Sequence, residues 1–325
     1  MPAGSLSIDV HLTAEDLRSA LVADVRNGLG AEKKWLSPVW FYDDRGSGLF
    51  DAITRLPEYY LTRAERRLLE ANAYDIAVRA GADTLVELGA GTCDKSRVLL
   101  GAMREVGTLQ RYVPLDVSET TLWEAASELA TEYPGLSVNA VVGDFLKHVD
   151  QVPSTGDRMV AFLGSTIGNL APEARSKFLV DLRSVLGPGD TLLLGTDLVK
   201  EPARLLAAYD DTAGLTAAFN RNVLLVLNSE LGADFDPSRF DHVAIWDSEA
   251  NWIEMRLRAV GQQVVEIEDL AMTVGFADGE DLRTEISAKF TLEGVQRELH
   301  DAGFSVESTW QDPEGFLLTL ASPTV

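Results

Sequence analysis

The stretch that decides the fold is V-E-L-G-A-G-T, from Val86 to Thr92. It follows an apolar run and leads into a helix-like segment, so it predicts a strand, a glycine turn and the start of a helix. Two further strand-like segments are each followed by an acidic residue. Asp116 follows the segment from Arg111 to Leu115, and Asp144 follows the segment from Val138 to Val142 after one glycine. In a doubly wound sheet these strand ends share one edge, where ligands bind. We therefore expect one ligand site lined by the glycine turn and the acidic residues.

The glycine turn differs from two common phosphate-binding loops. Gly89 and Gly91 are present, but Asp94 stands where a dinucleotide-binding loop has its third glycine, and Asp94-Lys95-Ser96 departs from a P-loop in the same way. An aspartate at this point would repel phosphates. A nucleoside with a positive centre and no phosphate tolerates it, and S-adenosylmethionine fits that description. An ordinary strand-to-helix turn is the alternative.

Length and charge limit the possible partners. A chain of 325 residues is long enough for about two domains. Its 28 Lys and Arg against 51 Asp and Glu give a formal net charge of -23. Long-range repulsion then disfavours nucleic acid and anionic membranes, so we expect a small-molecule substrate.

Cysteine and histidine usage argues against a metal enzyme. The chain has one cysteine, Cys93, and four scattered histidines without an H-E-x-x-H motif. We therefore expect neither a disulfide nor a bound metal. Residues 1–10 lack the features of a signal peptide, and no run is long enough to cross a bilayer. A cytoplasmic protein is expected, with a weak preference for a monomer.

Alternating strand and helix patterns from residue 64 to residue 197 predict parallel strands joined by crossover helices. The pattern predicts an α/β, doubly wound, Rossmann-like sheet of the type found in class I methyltransferases. A helix at 292–302 and two strands at 305–310 and 316–321 would complete it with an antiparallel edge. The predicted strands of the parallel part are Asp83 to Leu88, Arg111 to Leu115, Val138 to Val142, Met159 to Leu163 and Thr191 to Leu194.

Two regions do not follow this alternation. Residues 8–63 begin with a helical pattern and become rich in aromatics, while 198–289 combine a helix with alternating strands such as Trp252 to Val260 and Val264 to Val274. We expect them to form one smaller α+β substrate-binding domain. Residues 64–197 and 290–325 would form the domain that binds S-adenosylmethionine.

Residues after the predicted strands suggest roles at the ligand edge. Asp116 could accept hydrogen bonds from ribose hydroxyls, and Asp144 with Phe145 could hold adenine. Lys95 could neutralise a ligand carboxylate, although a solvated helix lysine is the alternative. Asn169, in G-S-T-I-G-N-L, could accept a hydrogen bond from a substrate amine and aim its lone pair at the methyl group. A turn asparagine is the other possibility.

Seven motifs together carry a resemblance that extends from Trp40 to Phe290. With V-E-L-G-x-G-T they are W-F-Y-D, G-S-x-L-F-D-x-I-T-x-L-P-E-Y-Y-x-T-R, F-L-G-S-T-I-G-N-L, L-L-L-G-T-D-L-V-K, A-F-N-R-N-V-L and T-E-I-S-x-K-F. In these motifs the chain resembles the actinobacterial histidine Nα-methyltransferases of ergothioneine biosynthesis. The resemblance implies trimethylation of L-histidine to hercynine with S-adenosylmethionine as donor.

The resemblance also implies a role for individual residues. Tyr59, Asn169 and Tyr209 would hold the amino and carboxylate groups, and Glu285 and Ser287 would bind the imidazole, with Ile286 between them. Tyr42 and Phe50 would line the site beside the methylated nitrogen, and Met255 would line the pocket for the imidazole ring. The implied cofactor residues are Gly89, Lys95, Asp116, Asp144 and Phe145. Cys93 departs from the family, in which a small polar residue is common.

Two other functions stay open at this point. A methyltransferase of the same family could act on another aromatic amino acid such as tryptophan, although Glu285 and Ser287 favour imidazole over indole. A non-catalytic cofactor-binding module is the third possible function. In such a module we would expect Asn169, Tyr59 and Tyr209 to be replaced by other residues while the cofactor-binding loop is kept. These residues are intact.

Overall fold

The glycine turn lies between a buried strand, Thr84–Leu88, and a helix, Ser96–Val106, in a computed structural model that describes residues 5–153 and 155–324. The chain divides into two units. Unit 1 comprises Met1–Thr13, Arg63–Leu198 and Phe290–Val325, and unit 2 comprises Ala14–Thr62 and Val199–Lys289. The start of the N-terminal segment, residues 1–4, and the last residue of the range 290–325 lie outside the described residues.

Strands and helices are numbered in chain order. The strands are β1 Leu6–Val10, β2 Thr84–Leu88, β3 Arg111–Asp116, β4 Ser137–Val142, β5 Arg158–Phe162, β6 Thr191–Asp197, β7 Phe240–Asp247, β8 Trp252–Ala259, β9 Gln263–Ile267, β10 Met272–Phe276, β11 Asp281–Ala288, β12 Phe304–Gln311 and β13 Phe316–Pro323. The α-helices are α1 Ala14–Leu29, α2 Asp44–Thr54, α3 Leu61–Ala80, α4 Ser96–Val106, α5 Glu119–Glu132, α6 Phe145–His148, α7 Pro172–Ser184, α8 Pro202–Tyr209, α9 Leu215–Leu231 and α10 Leu292–Asp301.

Unit 1 is built on an eight-stranded sheet in the order β1-β4-β3-β2-β5-β6-β13-β12. The first six strands in this order are parallel, and β13 and β12 add an antiparallel edge. Residues of β2 and β5 are buried throughout, as expected for strands covered on both faces. This confirms the predicted α/β fold. The strand order reverses between β2 and β5, which is where such sheets bind ligands.

Strand β1 was not predicted from the sequence. Its residues pair in parallel with β4, from Leu6 opposite Val138 to Val10 opposite Val142. Residues 8–13, which the sequence analysis placed with the substrate domain, therefore lie in unit 1. The segment Leu6 to Val10 does alternate apolar and polar residues, but the alternation covers only five residues and its pairing partner lies far along the chain.

Unit 2 contains a three-stranded antiparallel sheet in the order β11-β8-β7 and the hairpin of β9 and β10. The predicted strand from Val264 to Val274 is wrong, because the turn Glu268–Leu270 and the left-handed Ala271 divide it in two. No glycine or proline marks this turn, but the apolar positions shift from 265 and 267 to 270, 272 and 274 across Glu268 and Asp269, which is the signal of the break. Helix α9 buries residues on several faces, including Phe219, Asn220 and Val223.

No helix within 5–153 and 155–324 combines the length and the apolar character that crossing a bilayer requires.

Candidate active site

The loop after β2 leaves open space at its two glycines. Gly89 and Gly91 have φ angles of 70° and 50°, and a Cβ added at either would meet no atom within 4 Å. The backbone N–H groups of Gly89 and Ala90 donate to the carbonyl oxygen of Leu115 on β3 at 2.8 and 3.2 Å. The loop is therefore fixed to the sheet while its glycine surface allows close approach of a ligand.

Cys93 follows the glycines and also has a positive φ, 58°. Its side chain is buried, and burial raises the pKa of the thiol to about 12. Cys93, which replaces the small polar residue common in the family, is therefore a protonated thiol packed in the interior of the loop.

Asp116, at the end of β3, is bonded to the same loop. Its carboxylate accepts hydrogen bonds from the N–H groups of Gly91 at 2.9 Å and Ser118 at 3.0 Å. Burial raises the pKa of this carboxyl, although the backbone N–H groups oppose that rise. A carboxylate has about four acceptor sites, so two bonds leave capacity for the hydroxyls of a ribose.

Asp144 and Phe145 stand at the end of β4. The Asp144 carboxylate accepts from the N–H of Leu146 at 2.9 Å. The half-buried ring of Phe145 packs against Phe162 and Phe178, with centroids 5.0 and 5.6 Å away. These contacts fix the ring on which an adenine would stack. Together with the glycine space and Asp116, the site fits an adenosine group.

Lys95 is held by a residue that the sequence analysis missed. Its Nζ lies 2.7 Å from Oε2 of Glu65, a side chain with no exposed surface. The other carboxylate oxygen of Glu65 accepts from the N–H of Gly164 at 2.7 Å. Glu65 thus joins the cofactor loop to the segment after β5. An acidic residue beside the buried Leu68 and Leu69 on one helix face was the signal that could have identified it.

Gly195 on β6 leaves room for this carboxylate. A Cβ at position 195 would lie 2.3 Å from Oε1 of Glu65. The glycine of the motif L-L-L-G-T-D therefore has a packing reason, since a Cβ here would require the Glu65 carboxylate to shift from the position in which it binds Lys95 and Gly164.

Asn169 lies in the 3₁₀ turn Thr166–Asn169, which follows the left-handed residues Gly164 and Ser165. The Ser165 hydroxyl accepts from the N–H of Asp197 at 3.0 Å and anchors the turn. Across residues 5–153 and 155–324, no hydrogen bond to the Asn169 side chain is found. Its amide is half-buried and has the capacity to bind a ligand.

Unit 2 brings the predicted aromatic residues into one chain of ring contacts. Centroid distances are 5.6 Å from Tyr42 to Phe50, 6.0 Å from Phe50 to Tyr59 and 6.3 Å from Tyr59 to Tyr209. Phe219, which was not assigned a role, lies 5.5 Å from Tyr42 and 5.8 Å from Phe50. Residues distant in sequence therefore form one aromatic wall.

Glu285 on β11 lies directly opposite Met255 on β8. Burial raises the pKa of the Glu285 carboxyl to about 7, and the charge of Lys289 opposes this rise. In the described part of the chain, no hydrogen bond or ion pair to the carboxylate is found. A half-buried acid without a partner is costly to ionise unless a ligand supplies one.

Ser287 lies two residues further along β11, on the same face as Glu285. Its Oγ is 2.7 Å from the hydroxyl of Tyr209. The side chain of Ile286 points to the opposite face by the alternation of a strand, so any contact of this residue with the substrate would involve its backbone. The predicted residues Glu285, Ser287, Met255 and Tyr209 thus occupy one region of unit 2.

Lys289 was missed by the sequence analysis and contacts two predicted residues. Its buried Nζ donates to the Tyr209 hydroxyl at 2.8 Å and to Ser287 Oγ at 2.9 Å. The signal was present in T-E-I-S-x-K-F, where the polar residues 285, 287 and 289 alternate and so share one face.

The described residues contain no group of three or more His, Cys, Asp or Glu side chains arranged to hold a metal ion.

Comparison with known proteins agrees with the motifs. Residues 21–322 match the model of a family described as histidine-specific, S-adenosylmethionine-dependent methyltransferases. The histidine N-alpha-methyltransferases of Mycolicibacterium smegmatis and Mycobacterium tuberculosis are 53% and 51% identical, each alignment covering 98% of this chain and 99% of the relative.

A solved S-adenosylmethionine-dependent methyltransferase from Clostridium acetobutylicum shares the fold at 12% identity. Its TM-score is 0.50, and the match covers 85% of this chain and 98% of the other. With the family match over nearly the whole chain, the sequence and the fold agree. The chain belongs to the family of histidine-specific, S-adenosylmethionine-dependent methyltransferases.

Proposed function

We propose that this protein transfers methyl groups from S-adenosylmethionine to the α-nitrogen of L-histidine, three times in succession, giving hercynine as a step of ergothioneine biosynthesis. The relatives that are about half identical carry the name of this activity. The observation that carries the proposal is Glu285, a half-buried carboxylate with no hydrogen bond or ion pair among the described residues, two positions before Ser287 on the same face of β11. An imidazole offers the N–H and ring nitrogen that these two groups can bind.

Unit 1 would bind the donor. S-adenosylmethionine supplies an electrophilic methyl group on a sulfonium. Asp116 would accept from the ribose hydroxyls, Asp144 and Phe145 would hold the adenine, and Gly89 would allow close approach of the backbone. Lys95, whose side chain is 26% exposed, would share its charge between Glu65 and the ligand carboxylate.

Asn169 would orient the acceptor nitrogen. Its side-chain carbonyl oxygen can accept an N–H of the substrate amine and leave the lone pair directed at the methyl carbon. Such in-line geometry, with about 3 to 3.5 Å between the reacting atoms, supplies most of the acceleration in reactions of this type. The ammonium of free histidine loses one proton before the first transfer, one proton leaves after each of the first two transfers, and none leaves after the third; water or a hydroxyl can relay these protons to solvent without a strong base.

Unit 2 would bind the amino acid. Glu285 would accept the ring N–H, Met255 would pack against the imidazole, and Tyr59 and Tyr209 would contact the amino and carboxylate groups. Specificity would follow because a ring without this N–H leaves a buried carboxylate unpaired.

The aromatic wall would stabilise the later intermediates. Each methyl transfer makes the nitrogen bulkier and finally permanently cationic. Tyr42 and Phe50 present ring faces and edges to such a group, and a cation over an aromatic face is stabilised by about 0.5 to 2 kcal/mol. This contribution would rise from the first to the third transfer as the cation loses hydration.

We also propose that the protein acts as a cytoplasmic monomer without nucleic acid, membrane or metal as partner. The net charge of -23 supports the proposal, because it repels polyanionic partners. Sedimentation of the purified chain would test it, and a dimer at micromolar concentration would contradict the monomer.

Mass spectrometry would test the catalytic proposal. Histidine incubated with the protein and S-adenosylmethionine carrying a ¹³C-methyl group should gain three labelled methyl groups, all on the α-nitrogen. Replacement of Asn169 by Ala should slow the transfer while leaving the affinity for the donor unchanged. Labelling of tryptophan in preference to histidine would support the alternative substrate, and no labelling of any amino acid would contradict the proposal.

A further inference from the structure

An asparagine of helix α9 lies against the turn that carries Tyr42. Asn222 belongs to A-F-N-R-N-V-L, a motif to which the proposed function assigns no role, and its side chain has no exposed surface. We propose that Asn222 is a positioning residue that fixes this turn, so that the ring of Tyr42 meets the methylated nitrogen in one arrangement. The inference rests on the proposed function and deepens it, because it names what holds the aromatic wall in place.

The Asn222 amide binds the residues on both sides of Tyr42. Its Nδ2 donates to the carbonyl oxygen of Phe41 at 3.3 Å and to Oδ1 of Asp43 at 2.7 Å. Both partners are acceptors, so the NH₂ group of the amide, rather than its carbonyl, faces the turn. A hydrogen bond to a carboxylate is also about twice as strong as one between neutral groups. One buried side chain therefore ties the backbone before Tyr42 to the side chain after it.

Asp43 extends the same contact to helix α2, which carries Phe50. Its Oδ1 also accepts from the N–H of Gly46 at 2.7 Å, and this bond caps the first turn of α2. A single carboxylate oxygen thus binds both Asn222 and the start of the helix. Removal of the Asn222 amide would leave the cap in place but release it from α9.

Gly46 shows how closely this junction is packed. A Cβ at position 46 would lie 1.6 Å from the carbonyl oxygen of Phe41 and 3.0 Å from Nδ2 of Asn222. The glycine of G-S-x-L-F-D is therefore required by the same atoms that form the Asn222 contact. Three motifs that are separate in the sequence, W-F-Y-D, G-S-x-L-F-D and A-F-N-R-N-V-L, meet at one hydrogen-bonded junction.

Phe219 adds ring contacts from the same face of α9. Residues three apart on a helix are neighbours, so Phe219 and Asn222 face the turn together. The Phe219 ring centroid lies 4.7 Å from that of Phe41, 5.5 Å from that of Tyr42 and 5.8 Å from that of Phe50. Apolar packing brings these rings together without a preferred direction. The hydrogen bonds of Asn222 are directional, and they fix the position of the backbone from which the Tyr42 ring projects.

The position of the Tyr42 ring matters most when the substrate nitrogen becomes cationic. Attraction between a cation and an aromatic ring requires the cation to lie over the ring face, within about 6 Å of its centre. Tyr42 is 38% exposed, so its backbone decides where the ring lies to a greater extent than for a fully buried ring. Loss of the Asn222 amide should therefore slow the third methyl transfer more than the first.

The test compares two substrates on each protein variant. L-histidine reports the first transfer and Nα,Nα-dimethyl-L-histidine the third, each measured as kcat/KM with S-adenosylmethionine as donor. Asn222→Leu keeps the size of the side chain and removes its donors. We expect kcat/KM to fall about three- to fivefold more for the dimethylated substrate than for histidine, within the range that one cation-π contact can produce. An equal fall for both substrates would indicate a merely structural role and overturn the proposal.

Asn228→Leu is the matched control. Asn228 lies on the same helix, and its amide is bonded to the backbone N–H and carbonyl of Phe235 at 3.0 and 2.8 Å. Its loss should leave the ratio of the two substrates at the wild-type value. In a Tyr42→Leu background, Asn222→Leu should change the ratio by less than about twofold, because the ring that it positions is absent. A full change of the ratio in that background, or in Asn228→Leu, would contradict the proposal.

Fluorine NMR measures the positioning without turnover. The protein has seven tyrosines, and after incorporation of 3-fluorotyrosine the signal of Tyr42 is the one that is absent from Tyr42→Phe. Asn222→Leu should shift or broaden this signal, and Asn228→Leu should leave it unchanged. If wild-type protein does not methylate histidine, the proposed function fails while this measurement still decides about the positioning. An unchanged Tyr42 signal in Asn222→Leu would overturn the positioning role at any level of activity.

Asp43→Asn is a milder second variant. Asparagine caps a helix as well as aspartate does, so α2 keeps its cap, but the hydrogen bond from Asn222 then ends on a neutral oxygen and is weaker. We expect the ratio of the two substrates to change about twofold in the same direction and the Tyr42 signal to move. Unchanged values of both would overturn the proposal even if Asn222→Leu did not fold.

Discussion

Glu65 in unit 1 and Lys289 in unit 2 are buried charges of opposite sign, and each binds two polar groups of predicted site residues or their neighbours. Glu65 has no exposed surface and holds the Lys95 ammonium and the Gly164 N–H. Lys289 is 3% exposed and holds the hydroxyls of Tyr209 and Ser287. In the first region a carboxylate orients donors, and in the second an ammonium orients hydroxyls.

The difference between the two regions lies in the sign of the buried charge and in the groups that it binds. In unit 1 the Glu65 carboxylate accepts from the Lys95 ammonium, whose side chain is 26% exposed. In unit 2 the Lys289 ammonium donates to the hydroxyls of Ser287 and Tyr209, which are themselves buried. The residues predicted to contact a ligand belong to recognisable motifs. Lys289 also lies in such a motif, T-E-I-S-x-K-F, but its contacts, like those of Glu65, were identified only from the folded structure.

Loss of Glu65 should give the largest effect. Glu65→Ala leaves the Lys95 ammonium and the Gly164 N–H without their common acceptor, and breaking such a buried pair costs about 3 kcal/mol or more. We expect the free energy of unfolding to fall by this amount and the affinity for S-adenosylmethionine to fall at least about tenfold. Chemical denaturation and calorimetry measure the two quantities.

Asp190→Ala is the control for Glu65→Ala. Asp190 pairs with Arg158 at the other end of β5, and both side chains are about 5% exposed or less. Burial opposes its ionisation, but the bonds from Arg158 and from backbone N–H groups hold the pKa of Asp190 below its usual range. We expect a similar loss of stability with unchanged donor affinity of the folded protein. Equal losses of donor affinity in both variants would contradict a specific role for Glu65.

The stability of the ligand-free protein should depend on the ionisation of Glu285. Its pKa is raised from 4.5 to about 7, so the folded state binds the proton more tightly than the unfolded state. Stability is therefore lost as pH rises from about 4.5 to 7. A shift of this size corresponds to about 3 kcal/mol at most.

Glu285→Gln isolates this contribution. The amide does not ionise, so the variant should gain stability relative to wild type between pH 5 and pH 8, while other acidic groups affect both proteins alike. Parallel unfolding curves measured at several pH values check the expectation. A constant difference between the two proteins over this range would show that Glu285 does not ionise there.

Glu285→Gln should also weaken substrate binding in unit 2 while sparing unit 1. The amide accepts the imidazole N–H less strongly than a carboxylate, since hydrogen bonds to charged groups are about twice as strong. We expect the affinity for histidine to fall by about 10- to 50-fold, with Glu285→Ala falling further, and the affinity for S-adenosylmethionine to stay constant. Calorimetric titration with each ligand distinguishes the two regions. An unchanged affinity for histidine would refute the role.

Tyr42→Leu should give the smallest effect. Tyr42 is 38% exposed, and the substitution keeps apolar volume beside Phe50 but removes a ring face. Loss of about 1 kcal/mol of cation-π attraction should slow the last transfer about fivefold more than the first. Dimethylhistidine should then accumulate in time courses followed by mass spectrometry. A uniform slowing of all three transfers would point to a packing role instead.

The sequence predicted the parallel sheet because its signals are local. Buried strands appear in the sequence as apolar runs, and helix starts carry local signals of their own: in the structure Ser118 caps α5 and Pro172 is the first residue of α7. Strand β1 and the turn at Glu268–Leu270 were missed because their local signals are short: β1 alternates over only five residues, and the turn is marked by a change of phase without glycine or proline. The predicted residues of unit 2 came from motifs far apart in the chain.

By itself, the sequence determined the class of sheet, the glycine turn after β2 and the polar residues at strand ends, since each depends on neighbours along the chain. Tertiary structure decided which buried charged side chains bind those residues, namely Glu65 at Lys95 and Lys289 at Tyr209. Glu65 is 30 residues from Lys95, and Lys289 is 80 residues from Tyr209. The direction of a hydrogen bond depends on every partner of both atoms, and those partners are brought together only by folding.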